Sequence, residues 1–233
     1  MYSDVFCKVY NEFGWNYYPE AFGQQLLQLL SDRSLHPATA LDLACGTGVL
    51  CRILKAQGIE SRGMDFSGGM IAIARAESPD IPYDVADMIT YRPAAQFDLV
   101  TCTGDALNHI PEMADVGRIF ENVYAYLAPG GLFVFDLLDE QEISTEEPFE
   151  LQFDETISAR FQITRPEEKR VHLQTQVFQN GIPSFTEDIY ETVHDRQAVL
   201  ELLRRAGFGI VKCAHRLLDD GPEVATWYII AQK

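Results

Sequence analysis

The stretch Leu41-Asp42-Leu43-Ala44-Cys45-Gly46-Thr47-Gly48 admits few folds. Leu41 to Ala44 reads as the end of a short buried strand, and Gly46 and Gly48 make the tight turn after it. Val49 to Gln57 then reads as a helix, with Val49, Leu50, Ile53 and Leu54 on one face. A glycine turn between strand and helix leaves bare backbone against which a ligand can lie, because a Cβ would block the approach. Ile59 to Met64 reads as the next strand and ends at Asp65, seventeen residues after Gly48. A carboxylate at that edge of a neighbouring parallel strand is suited to accept both hydroxyls of a ribose.

The alternation continues along the chain. Ser67 caps a helix that buries Met70, Ile71 and Ala74, and Ile81 to Ala86 is a third strand ending at Asp87-Met88. Phe97 to Thr101 is a fourth strand, expected beside the first, where the winding reverses and open α/β sheets bind their ligands. The loop Cys102 to His109 follows it. Ala114 to Leu127 is a periodic helix stopped by Pro129-Gly130-Gly131, and Leu132 to Leu137 is the fifth strand. After an acidic connection at 139–150, Phe149 to Arg165, Val171 to Gln179 and Phe185 to His194 alternate as half-exposed strands. Asp195 to Ala206 is the last helix, and Phe208 to His215 with Val224 to Ala231 forms a closing hairpin. Ahead of all this, Asp4 to Glu12 and Pro19 to Leu30 read as two helices in an aromatic-rich stretch.

The blocks LDLACGTG, GMDFSGGMIAIAR, VADM, FDLVTCTGDALNHI and LAPGGLFVFDL, in that order and spacing, resemble a class I S-adenosylmethionine-dependent methyltransferase. Within that family the chain is most similar to small-molecule N-methyltransferases of the amino-sugar and glycine/sarcosine types. The resemblance implies an α/β fold with a Rossmann-like seven-stranded sheet, mostly parallel and closed by an antiparallel hairpin. It implies a helical N-terminal cap at 1–34, a cofactor-binding core at 35–138 and 195–233, and an antiparallel β insertion at 139–194. The insertion then covers the acceptor or forms a dimer surface.

The resemblance also assigns cofactor roles. Ala44, Gly46 and Gly48 admit the amino-acid portion of S-adenosyl-L-methionine, with Asp42 near its ammonium. Asp65 and Phe66 meet the ribose end, Asp87 and Met88 the adenine, and Cys102 offers a backbone contact. Tyr10 of Tyr10-Asn11-Glu12-Phe13 loosely matches a tyrosine found near the cofactor in the family, with Asn11 where an acid is common. Tyr10, Trp15, Tyr17 and Tyr18 are candidate lid residues that exclude water. An amine nucleophile must shed a proton, so His109 and Asp105 are the candidate catalytic groups, with Glu191 and His194 as lesser ones and Asn108 as an acceptor-orienting residue. Each has a plainer structural role open to it.

Composition narrows the partners. A net charge of −17 with no basic stripe opposes nucleic acid and anionic membranes and favours a neutral or cationic small substrate. No run of eighteen apolar residues suggests a membrane span, and no basic-then-apolar leader is visible. Five scattered cysteines without CxxC spacing suit a reducing cytoplasm and argue against a zinc site. The histidines show no HxxxH spacing, so no metal is expected. The expectation is therefore a cytoplasmic enzyme, monomer or homodimer, that methylates a small-molecule amine and releases S-adenosyl-L-homocysteine. Methyl transfer to oxygen or to a protein, and a non-catalytic cofactor-binding module, stay open. An NAD-dependent oxidoreductase would need a fuller GxGxxG, whereas Cys51 stands at the third position.

Overall fold

The computed structural model describes residues 3–141, 143, 147–221 and 226–233. Its main sheet has seven strands in the order β10-β11-β5-β4-β1-β2-β3. These are β1 (Thr39–Leu43), β2 (Glu60–Asp65), β3 (Tyr83–Val85), β4 (Phe97–Cys102), β5 (Leu127–Leu138), β10 (Gly209–Ala214) and β11 (Thr226–Gln232). The first five are mutually parallel, and β11 runs antiparallel to both β5 and β10. The chain reverses its winding between β1 and β4, as the sequence predicts.

The sheet is buried on both faces because β1 carries apolar side chains on both. Ala40 meets α2 (Tyr17–Asp32) and α3 (Val49–Ala56). Leu41 and Leu43 meet α5 (Met113–Tyr126) and α6 (Arg196–Ala206). The remaining core helix, α4 (Gly68–Glu77), is capped by the Ser67 hydroxyl accepting from the Met70 amide. Asp195 caps α6 in the same way, and Gly207 ends it in the left-handed conformation. The predicted helix from Pro19 begins two residues earlier. Proline fits the first turn of α2, whose amides have no intrahelical partner to lose. The other N-terminal helix, α1, is short (Asp4–Val9).

The segment after β5 forms a second sheet of four antiparallel strands in the order β6-β7-β8-β9. They are β6 (Phe149–Gln152), β7 (Ile157–Glu167), β8 (Arg170–Gln179) and β9 (Ile182–Thr192). The single strand expected over 149–165 is broken in two. The Asp154 carboxylate accepts from the amides of Thr156 and Ile157 and folds the chain into a turn there. Val224 and Ala225 of the expected last strand, and part of the expected acidic connection, lie outside the described residues. No described helix is long and apolar enough to cross a membrane.

The two motif glycines differ. Both have positive φ, +53° at Gly46 and +79° at Gly48. A Cβ at Gly46 meets nothing within 4 Å, whereas one at Gly48 would lie 2.4 Å from the Tyr83 hydroxyl. Gly48→Ala is expected to lower stability by about 2–4 kcal/mol, and Gly46→Ala by about 1–2 kcal/mol. Denaturant unfolding of both variants checks this, and equal losses would show that the Tyr83 contact is without consequence.

Candidate active site

A cavity of about 820 Å³ opens at the C-terminal ends of β1, β2, β3 and β4. Its floor begins at Asp42, buried on β1 and in register with Thr101 on β4, whose hydroxyl donates to it over 2.6 Å. Burial pushes the Asp42 carboxyl up to about 7, and the Thr101 hydrogen bond only partly opposes that shift. Beyond β1, Ala44 has φ +55°, an unusual conformation for a residue with a Cβ. It turns the chain so that the Gly46 amide donates to Asp65 Oδ2 at 2.9 Å. The Ser67 amide donates to the other oxygen, Oδ1, at 2.8 Å. Two loops thus clamp the Asp65 carboxylate at the cavity wall, and each oxygen keeps a lone pair for a ligand hydroxyl. Burial raises its pKa, and the backbone amides counter that rise. Phe66, 56% exposed, stands beside it as an apolar wall. Asp87 ends the same wall, its Oδ1 accepting from the Ile89 amide, with Met88 and Ile89 lining the cavity.

The opposite wall is the loop after β4. Gly104 and Asp105 both have positive φ, +75° and +58°. Their amides donate to Asp136 Oδ2 at 2.9 Å and Oδ1 at 3.0 Å. Asp136 is fully buried on β5 and also accepts from the Tyr18 hydroxyl. It acts as a peg that holds a strained loop in place. Asp105 faces the cavity. Burial, then repulsion from Asp136 and Glu191, raises its pKa well above the carboxylate range. His109 lines the cavity at the end of a 3-10 turn, Ala106–His109, with Nε2 3.8 Å from Glu191 Oε1. Burial lowers the His109 pKa, which keeps the ring neutral at pH 7. Burial and then Asp136 push Glu191 up to about 7.

The N-terminal segment supplies a further wall, from which Tyr10, Trp15, Tyr17 and Tyr18 all line the cavity. Burial, then the charges of Asp65 and Asp105, push the Tyr10 hydroxyl up to about 12, so it stays protonated. The segment is tied to both sheets. The Ser3 amide and hydroxyl donate to Glu187 on β9, at 2.9 and 2.6 Å. Asn11 bonds Thr47, at 3.0 Å, and Glu77, at 3.1 Å. Asn11 therefore clips this segment to the motif turn. From above, Asp188, Ile189 and Tyr190 of β9 also line the cavity.

Three expected site residues lie elsewhere. Gly48 packs against Tyr83 outside the cavity lining. Cys102 is fully buried in the core between the sheet and α5, and Thr103 reaches the cavity in its place. Asn108 is a strut: its Nδ2 donates to the Thr192 carbonyl, and its Oδ1 accepts from the Leu138 amide. The lesser candidate His194 is buried and bonds the Leu107 carbonyl, behind the 3-10 turn. Asp136 and Asp188 are not among the residues that the sequence motifs point to. An acid closing the apolar run Leu132–Phe135 was the available signal for Asp136.

Crowded carboxyls make stability depend on pH. Asp42, Asp65, Asp105, Asp136 and Glu191 all have raised pKa values in the fold. The folded state therefore holds their protons more tightly than the unfolded chain does. For each, the contribution is full below the unfolded value near 4 and is lost as pH rises through the folded value, which is about 7 for Asp42 and Glu191. The lowered imidazoles His109 and His194 act oppositely but are fewer. The midpoint of thermal unfolding is expected to fall by roughly 5 °C or more between pH 5 and pH 8. A rise over that interval would contradict the assignment.

Residues 40–131 match a family model described as a methyltransferase domain. Over 135 residues the chain is 27% identical to a dTDP-4-amino-2,3,4,6-tetradeoxy-D-glucose N,N-dimethyltransferase of Saccharopolyspora spinosa, covering 58% of this chain and 53% of that one. It is 30% identical over 134 residues to a dTDP-3-amino-3,6-dideoxy-alpha-D-glucopyranose N,N-dimethyltransferase of Streptomyces fradiae, covering 58% and 52%. The chain thus spans about half the length of the curated relatives it matches. Among solved structures, CalS10, an amino pentose methyltransferase from Micromonospora echinaspora, superposes with a TM-score of 0.77 at 21% identity, over 100% of this chain and 98% of that one. An S-adenosylmethionine-dependent methyltransferase from Clostridium acetobutylicum superposes with a TM-score of 0.80 at 20% identity, over 90% and 89%. Residues 40–131 are thus similar to a methyltransferase domain, and the chain resembles amino-sugar N-methyltransferases in sequence and S-adenosylmethionine-dependent methyltransferases in fold.

Proposed function

We propose that the protein transfers a methyl group from S-adenosyl-L-methionine to the amine nitrogen of a small sugar-like molecule. The observation that carries this reading is one cavity bounded by Asp65 and Asp87 on one wall and by Asp105 and His109 on the other. The residues fit the cofactor. Carboxylates suit a ligand that is a cation overall, the open space at Gly46 leaves room beside the motif turn, and Phe66 offers a flat apolar face. Asp65 would hold the ribose, Asp87 and the Met88 backbone the adenine, and Asp42 the ammonium.

When bound, the cofactor supplies an activated methyl group on a sulfonium. The chain's own part is to orient the acceptor and exclude water, and alignment of this kind is worth roughly 7–11 kcal/mol in favourable systems. An amine that arrives as its ammonium must first give up a proton, which frees the nitrogen lone pair for the new bond to carbon. Neutral His109 is suited to receive it at Nε2, with Glu191 beside it to stabilise the resulting charge. The N-terminal segment and the second sheet both line the cavity and narrow it to about 820 Å³, which favours a small molecule over a protein segment. The relatives named above act on dTDP-linked amino sugars by their names, and this supports nitrogen over oxygen.

The test is S-adenosyl-L-homocysteine formation against a panel of amino sugars, simple amines, phenols and peptides, with cofactor uptake followed by calorimetry. Turnover confined to amines is the expected result. Turnover confined to phenols or peptides, or no cofactor uptake, would refute the proposal.

A further inference from the structure

The sign of charge around the cavity says more about the acceptor. Among the described residues that line it are five aspartates, Asp42, Asp65, Asp87, Asp105 and Asp188, and no lysine or arginine. The residues outside the description (1–2, 142, 144–146 and 222–225) bring no lysine or arginine side chain either. Cations near the wall are already engaged. Arg52 bonds the Thr47 carbonyl at 2.8 Å and Glu77 at 2.8 Å. His172 pairs with Asp188 at 2.7 Å. The exposed Arg170 lies over the Tyr190 ring, 5.4 Å from its centroid. Even with the cofactor's positive charge matched to the aspartates of its own wall, Asp105 and Asp188 still line the cavity. Asp136 and Glu191 raise the Asp105 pKa, and an ammonium placed beside it would favour its ionised form. Tyr10, Trp15, Tyr18 and Tyr190 present aromatic rings to the same space, the surroundings that hold organic cations.

We propose that this cavity takes its amine acceptor as a cation carrying no phosphate: a free amino sugar or an amino glycoside on an uncharged carrier, and not a nucleoside-diphosphate sugar. A diphosphate drawn into this space would meet carboxylates and find no guanidinium or ammonium to replace its lost water. Methylation then precedes activation of the sugar by a nucleotidyl transfer or follows its attachment by a glycosyl transfer. The inference rests on the methyltransferase reading of the cleft.

The experiment uses the whole protein saturated with S-adenosyl-L-homocysteine. Calorimetry compares the methyl glycoside of an aminodeoxyhexose with dTDP, and turnover with S-adenosyl-L-methionine compares that glycoside with its dTDP-linked counterpart. The glycoside is expected to bind roughly tenfold or more tighter than dTDP, and its affinity to weaken as salt is raised. Its kcat/KM is expected to exceed that of the dTDP-linked form by a similar factor. A glycoside that binds no better than dTDP, or a dTDP-linked sugar methylated as fast, overturns the inference. Failure to bind the cofactor at all is a different outcome, for it removes the methyltransferase reading and this inference with it.

Discussion

Asp136→Asn is expected to lower kcat/KM for methyl transfer by roughly a hundredfold while changing cofactor affinity little. The substitution keeps the side chain's size but turns one acceptor oxygen into a donor. All three partners of Asp136 are donors: the Gly104 amide, the Asp105 amide and the Tyr18 hydroxyl. One of them must then face an N–H group inside the core, and an unsatisfied buried donor costs about 1–3 kcal/mol. The loop relieves the conflict by leaving its left-handed conformation, and Asp105 moves with it. Tyr18→Phe removes a single donor and leaves both amides paired, so it should cost less. Steady-state kinetics with calorimetry on both variants decides this. A Tyr18→Phe enzyme as slow as Asp136→Asn would show that the Tyr18 hydroxyl, and not the loop, is what matters.

Asp65→Ala is expected to weaken S-adenosyl-L-methionine binding by at least roughly tenfold. Two effects act together. The charged acceptor for the ribose is lost, and the Gly46 and Ser67 amides lose the carboxylate that holds both loops at the cavity wall. Asp65→Asn separates the two, since its amide oxygen can still accept from one of those amides. Its loss should fall between wild type and Asp65→Ala. Unchanged affinity in Asp65→Ala, measured by calorimetry, would remove this residue from the cofactor site.

The wall we assign to the cofactor was legible in the sequence because its residues stand at or just after strand ends. Asp65 closes β2, and Asp87 follows β3 by two residues, so strand prediction alone puts them on one edge. The acceptor side depends on contacts between distant segments. Asp136 supports Asp105 from 31 residues away, and Glu191 of the second sheet meets His109 on the turn after β4. No local pattern records such pairings. Motif membership also misled where a turn points inward: Gly48 and Cys102 belong to the recognisable blocks, yet face Tyr83 and the core. Asn108 read as a ligand-orienting amide because it sits beside His109, but its side chain is spent joining β9 to β5. At Phe153–Thr156 the apolar alternation ran on through a turn that only the Asp154 side chain enforces.

The outer edge of β9 is not bare. Asn108 grips the Thr192 carbonyl, while the His109 ring bonds the backbone of Tyr190. An edge strand that would otherwise invite a foreign strand is thereby capped from within the molecule. The imidazole consequently rides on the smaller sheet as much as on its own turn. Lengthening or shortening the hairpins there would re-aim the imidazole without disturbing Asp65 or Asp87, so the two walls of the cavity can change independently of each other.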